Sequence, residues 1–423
     1  MRLFVRVFWL AAIWAVASVG WLTLGGVMGA RSSQQQSELY GKVADLWGAP
    51  QRQQAPQLRF GWDTQRVVVE QTKDAETGHV VETTKTITDH HEEVVHLSSS
   101  DIDVSLNLDQ RRKGLLWFPL YDVDFSGAYT YTHRSDQVGI LEVLLPFPDS
   151  SGLYDAFRFS IDGVADAEMQ PEGGMMRERL VVQPGQEVKI AVGYRSRGMT
   201  EWMYQPSQEV SSLNDFSLSM VTDFKEIDFP AYTLSPSRKA SSGGGWALGW
   251  DFDRVVTGHG IGMVMPEPIQ PGPLAEHMAF SAPISLGFYF LILFVISVLR
   301  RIDIHPINYT MIAGAFFSFH LLLGYSADRL PIEVAFGLAS VVSVLLVVSY
   351  LRLVVSSTFA FGPAAAAQLV YLVGFGLAHF WEGYTGLTVT VLSILTLFVL
   401  MQLTGRIDWD SEFRKVRQQS SQG

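Results

Sequence analysis

FSAPISLGFYFLILFVISVL, residues 280–299, carries no charged side chain and ends against Arg300 and Arg301. Four more apolar runs follow at short intervals, at 307–324, 332–351, 361–378 and 387–404. Their only ionisable residues are His320, inside the second, and Glu333, at the edge of the third. At ~1.5 Å rise per residue, each run is long enough to cross a ~30 Å hydrocarbon layer. A soluble core does not need five such runs in succession. The chain reads as a polytopic membrane protein.

A sixth candidate lies at the other end. Residues 1–30 open with Arg2 and Arg6 and continue apolar through Trp14, Val16, Trp21 and Leu24. That core is longer than the 7–15 residues of a cleaved signal, so an anchor helix is expected. The expected fold class is membrane α+β: six transmembrane helices, one N-terminal and five C-terminal, with a large β-rich extracytoplasmic domain inserted after the first. The domains are then 1–30, 31–279, 280–404 and a short tail, 405–423.

Charge sets the orientation. With the N-terminus in the cytoplasm, Arg2, Arg6, Arg300, Arg301, Arg352, Arg406, Arg414, Lys415 and Arg417 all fall inside, and Arg329 alone falls in the short outer loops. Such an excess of inner cations is the positive-inside pattern. Both termini are expected in the cytoplasm of a bacterial inner membrane. The polar region 31–278 has a net charge of −14, the rest of the chain +3. An acidic domain repels nucleic acid, which excludes that class of partner. The chain has no cysteine, which excludes disulfides, thiol catalysis and cysteine-based metal sites.

Within the polar region, Leu39, Val43, Leu46 and Trp47 recur at helical spacing, giving a short helix over 37–48 stopped by Gly48 and Pro50. Beyond it, Arg66–Gln71, His79–Ile87, Glu93–Leu97, Ile102–Leu108, Gln137–Leu145, Ala156–Ile161, Leu180–Val182 and Glu187–Tyr194 are rich in β-branched and aromatic residues. Frequent short strands predict a β-sandwich or open barrel. Ser235–Gly245 reads as a flexible loop, and the proline-rich stretch Met265–Pro273 as a stiff tether into the first of the five late helices.

Several stretches resemble one family. His305-Pro306-Ile307-Asn308-Tyr309 is similar to the signature loop of CreD inner-membrane proteins, and Met401-Gln402-Leu403-Thr404-Gly405-Arg406-Ile407-Asp408-Trp409 to that family's closing motif. Tyr40–Gln51, Gly114–Tyr129 and Ile261–Pro266 fit it in the same order. The last outer loop departs from it, keeping only Glu382 and Tyr384. The resemblance implies an inner-membrane protein with a periplasmic domain, tied to envelope integrity and stress responses. It implies no reaction and no cofactor.

The family-motif residues are thus His305, Pro306, Tyr309, Arg406, Asp408 and Trp409. Pro306 suits the first helical turn, where no intrahelical bond needs its N–H. Tyr309 and Trp409 suit the membrane interface. A second group, His320, Asp328, Glu333, His379 and Glu382, falls near the outer membrane rim, where ionisable residues are functional candidates. His320, one turn from its helix end, has the option of snorkelling to water. His90, His91 and His96 lack the i, i+4 spacing of a helical zinc site and sit in a strand pattern. Gly362, Pro363, Gly374 and Gly376 point to a bend or close helix packing. No catalytic residue, metal or cofactor is assigned. The expected function is non-enzymatic: an envelope component, protein or cell wall, is bound or sensed by the outer domain, with the lipid bilayer as the other partner. The alternatives are a transporter, or a membrane enzyme using the rim histidines and acids. The ligand and the oligomeric state are not encoded in any motif.

Overall fold

The computed structural model describes residues 3–73, 80–165, 170–207, 209–381 and 383–405. The chain divides into two compact units. One comprises residues 1–39, 112–117 and 268–423, the other residues 40–111 and 118–267. The helical unit therefore takes in the stretches 31–39 and 268–279 and the short segment 112–117, all of which the sequence reading gave to the β-rich domain.

The first helix, α1, runs unbroken over Leu3–Trp47. It replaces the two helices expected at 1–30 and 37–48. The polar stretch Arg31–Gln36 looks like a linker, but glutamine is a good helix former and no breaker occurs there. The helix stops where expected, at Gly48, which adopts φ +114° and donates its N–H to Ala44 O at 2.8 Å. At ~67 Å, α1 is about twice as long as a bilayer core is thick, so only part of it can lie in lipid.

Fourteen strands follow among the described residues. The first seven are β1 (Gln51–Gln54), β2 (Gln57–Lys73), β3 (Val80–Val95), β4 (Ser99–Lys113), β5 (Leu116–Thr132), β6 (Gly139–Pro146) and β7 (Tyr154–Ile161). The rest are β8 (Met175–Val182), β9 (Glu187–Met199), β10 (Glu201–Gln205), β11 (Ser211–Thr222), β12 (Arg238–Ser242), β13 (Gly245–Thr257) and β14 (Ile261–Val264). They form three sheets, ordered β12-β13-β11-β4-β5-β9-β7, β3-β2-β6-β8 and β1-β10-β14. Most pairs are antiparallel, but β4 runs parallel to β11 and β1 parallel to β10. Alternating burial along β4 and β5 turns one face inward. Phe60, Ile102, Phe125, Trp202, Trp250 and Met263, drawn from all three sheets, share one apolar core, as in a sandwich. Ser235–Gly245 is not a loop: β12 pairs with β13 around a two-residue Gly243-Gly244 turn, with Gly243 at φ +55°.

The helical unit continues with α2 (Pro271–Leu299), α3 (Pro306–Ser326), α4 (Ile332–Val354), α5 (Ser357–Phe380) and α6 (Thr385–Thr404). With α1 these make, among the described residues, six helices long and apolar enough to cross a membrane. The expected proline-rich tether ends early, because Pro271 and Pro273 sit in the first turn of α2, where proline is tolerated. Contacts fix two ends of this bundle. At one, Arg6 pairs with Asp303 and donates to Ile304 O at 3.3 Å. At the other, Arg31 pairs with Asp328, between α3 and α4. Between them α1 rests on α2 through two small residues: Gly25 against the Phe280 ring and Gly287 against the Trp14 indole.

In α5 the backbone widens into π-helical turns at Ala360–Ala364 and Leu369–Gly374. Pro363 lies inside the first, where its missing N–H and its ring disrupt the regular ladder. Gly376 lets α5 touch α4, since a Cβ there would meet the Phe336 ring at 2.7 Å.

Candidate functional site

The two groups of candidate residues fall at opposite ends of the helical unit. At the Arg6 end, His305 caps α3 by accepting from Ile307 N through Nδ1 at 3.3 Å, and Pro306 opens the helix. Tyr309 turns its ring toward α2. It is buried, edge-on to Phe290 of α2 with ring centroids 5.2 Å apart. One turn of helix turns this ring inward: Pro306, Tyr309 and Ala313 share the buried face of α3. Asn308, also buried, accepts from the Tyr350 hydroxyl of α4 at 3.0 Å. Arg406, Asp408 and Trp409 lie outside the described residues.

At the Arg31 end the expected rim residues are shared out among different helices. His320 does not snorkel. It is buried and takes a hydrogen bond at Nδ1 from the Trp21 indole of α1, at 3.1 Å. The same Nδ1 lies 3.2 Å from Phe316 O, so it sits between an indole that can only donate and a carbonyl that can only accept. In His379, Nδ1 faces Phe375 O at 3.0 Å and donates there, while Nε2 lies 3.0 Å from the Ser281 hydroxyl of α2, which also meets Met278 O at 3.0 Å. Asp328 is taken by Arg31, whose guanidinium also lies over the Tyr325 ring at 5.8 Å. Glu333 is exposed in the first turn of α4, where an acid suits the helix dipole. Glu382 lies outside the described residues.

The sequence reading did not foresee Trp21, Arg31, Ser281 and Arg112, the partners that complete these contacts. Arg112 donates to Leu330 O at 2.9 Å and to Ala327 O, capping the carbonyls of the α3–α4 turn. Beside it, Leu115 enters the apolar core of the helical unit. Partners more than 90 residues apart obey no spacing rule, so only the fold brings them together.

Deeper in the bundle, Gln368 of α5 donates to Ser343 Oγ at 3.0 Å, and Ser343 donates to Ala315 O at 2.7 Å. This chain ties α5, α4 and α3 together, and the Gln368 Oε1 is buried without a partner. Among the described residues of the spans, no Asp, Glu, Lys or Arg is buried. Among the described residues there is also no group of three or more His, Asp or Glu arranged to hold a metal ion.

In the β-rich unit, His90 and His91 project to opposite sides of β3. His90 pairs with Asp63 at 2.7 Å, while His91 stacks on Trp62 and meets Thr64 at 2.8 Å. Burial also raises the phenols of Tyr121, Tyr194 and Tyr204 well above the ordinary tyrosine value, and pushes Tyr154 up to about 12.

Among the described residues, six helices apolar and long enough to cross a membrane, bundled through small residues and short interhelical hydrogen bonds, with a β unit between the first and second in the chain, fit the class of multi-pass membrane proteins. Residues 279–410, from within α2 past the end of α6, match the model of the family described as Inner membrane protein CreD; the match takes in the motifs His305–Tyr309 and Met401–Trp409 and supports an inner-membrane location. No curated protein matches the chain. Among solved structures, the chain is similar to a Legionella pneumophila protein provisionally described as nutrient-binding, at 10% identity and a TM-score of 0.30. The likeness covers 53% of this chain and 82% of that one, and at such a score it carries no argument.

Proposed function

We propose that this is a non-catalytic inner-membrane protein of the cell envelope, with both termini cytoplasmic and the β-rich unit outside, where it binds or senses an envelope component. The connectivity of the chain carries the reading. It passes between the two units four times, at 39/40, 111/112, 117/118 and 267/268. Two of those passages are the strands β4 and β5, whose shared tip, 112–117, belongs to the helical unit and holds the α3–α4 turn through Arg112. A ligand that shifts β4 or β5 therefore acts on the helices through the backbone itself. The excess of inner cations supports the orientation. The absence of a buried charged group among the described residues of the spans speaks against ion-coupled transport.

The test is in-cell photocrosslinking from exposed positions of the β unit, such as Val164 and Tyr232. Capture of one defined envelope protein or wall glycan supports the reading, and capture of lipid alone contradicts it. A second reading, a membrane enzyme, rests on the Ser281–His379 contact, a hydroxyl 3.0 Å from both a ring nitrogen and Met278 O, with the other ring nitrogen held by Phe375 O. An unchanged envelope phenotype in a folded Ser281→Ala variant would remove it.

A further inference from the structure

The helical unit contains an apolar groove of about 460 Å³ between α1 and α3. Trp9 and Trp21 close its two ends, Ile13 and Ala313 line its walls, and Gly314 leaves its floor open. Alpha-1 rests on α2 through Trp14 and reaches the α3 core through Trp21, but leaves α3 between those points. Val16, midway along, is 75% exposed.

The lining of this groove lacks partner atoms on its open side, so an apolar occupant that supplies them is stabilised there. The groove is too apolar to hold water in place, since a buried water needs two or more polar partners. A helix from another chain does not fit either. A second span would run the full ~30 Å of the hydrocarbon layer, whereas the groove ends at Trp21, ~18 Å along α1. Depth selects the occupant. The groove begins one turn beyond Arg6, whose ion pair with Asp303 marks the polar boundary at that end. It runs ~18 Å along α1 to Trp21, close to the ~15 Å of a single leaflet.

We propose that the groove holds one acyl chain of a bilayer phospholipid from the leaflet at the Arg6 end. The lipid is then a structural component, wedged between the helix that leads into the β unit and the rest of the bundle. It also keeps α1 off α3 below Trp21, so the Trp21–His320 bond is where the two helices engage.

Gly314→Leu tests this, because a Cβ built at Gly314 meets nothing within 4 Å and the larger side chain points into open groove. Gly337→Leu on exposed α4 is the matched control, open in the same way but outside the groove. The full chain is purified in mild detergent, and retained phospholipid per chain is counted by native mass spectrometry. One phospholipid is expected for the parent chain and for Gly337→Leu, with retention falling about ten-fold in Gly314→Leu, equivalent to one decade in affinity. Gly314→Ala, a smaller change that keeps the fold safe, is expected to give an intermediate loss. Equal retention in all variants overturns the proposal. So does a lipid-free parent chain, or a lipid-free dimer joined through α1.

Discussion

Replacing Trp21 by alanine should detach α1 from α3 while leaving the rest of the bundle folded. The indole is fully buried, 5.3 Å from Phe317 and 5.8 Å from His320 between ring centroids, and donates to His320 Nδ1 at 3.1 Å. Within a bilayer the detached state is also apolar, so the usual gain from leaving water drops out and packing and hydrogen bonding remain. A cavity of roughly 100 Å³ at about 24 cal/mol per Å³ costs about 2.4 kcal/mol. An interhelical hydrogen bond in a membrane adds about 0.6 kcal/mol. Trp21→Ala should therefore cost about 3 kcal/mol. Trp21→Phe, which keeps most of the volume and loses the N–H, should cost about 1 kcal/mol. His320→Leu strands the indole N–H, and in the double variant with Trp21→Phe part of that cost should vanish, giving a coupling of about 0.6 kcal/mol. The assay is SDS-induced unfolding of the purified full chain in mixed micelles, run as a double-mutant cycle. A Trp21→Ala variant within about 0.5 kcal/mol of the parent, or a coupling of zero, would refute the docking of α1 through this pair.

Other expectations follow from single contacts. Gly376→Leu should destabilise the bundle by about 1–3 kcal/mol, since the added side chain meets the Phe336 ring. The same SDS titration reads it. Gln368→Leu removes a buried acceptor that has no partner but also the bond that Nε2 donates to Ser343 Oγ, so the two effects offset and stability should change by less than about 1 kcal/mol. A loss well beyond the ~1 kcal/mol of that one bond would mean that Oε1 also holds a partner. Burial raises the phenols of Tyr121, Tyr194 and Tyr204, so the folded form holds their protons more tightly than the unfolded chain. Their contribution is complete below the unfolded tyrosine value of about 10 and is lost as pH climbs through the raised folded values. Phenolate absorbance and circular dichroism should therefore show these rings ionising together with β-sheet loss above about pH 10, not before it. Arg112→Ala should leave ligand capture by the β unit intact while abolishing the envelope phenotype, because it frees the carbonyls of the α3–α4 turn.

The membrane helices were legible because an 18-residue apolar run has few other uses, and their ends fell within a few residues of the observed ones. The start of α2 was the exception: Pro271 and Pro273 read as a tether, although the first helical turn accepts them. Alpha-1 was read as two helices because Arg31–Gln36 is polar, and polarity was taken for a break where no breaker exists. Among the strands, β2 to β4 and β6 to β9 were found at least in part, while β1, β10 and β12 to β14 were not. Beta-5 was passed over as a strand, having Pro119 and Gly127 within it, and so was β11, whose serines and Asn214 hide its alternation. The rim residues were recognised singly by their type. Their pairing with Trp21, Arg31 and Ser281 was not legible, since it depends on helix packing across nearly 100 residues or more.

The most direct test of the account is the side of the membrane on which each part lies. The native chain has no cysteine, so a single introduced thiol gives a clean label. Leu153→Cys, at a position 74% exposed in the β unit, and Ser420→Cys, near the C-terminus, are treated in intact spheroplasts with a membrane-impermeant maleimide. The account predicts labelling of the first and protection of the second until the cells are lysed. Labelling of both before lysis, or of neither, would put the β unit and the tail on one side and contradict it.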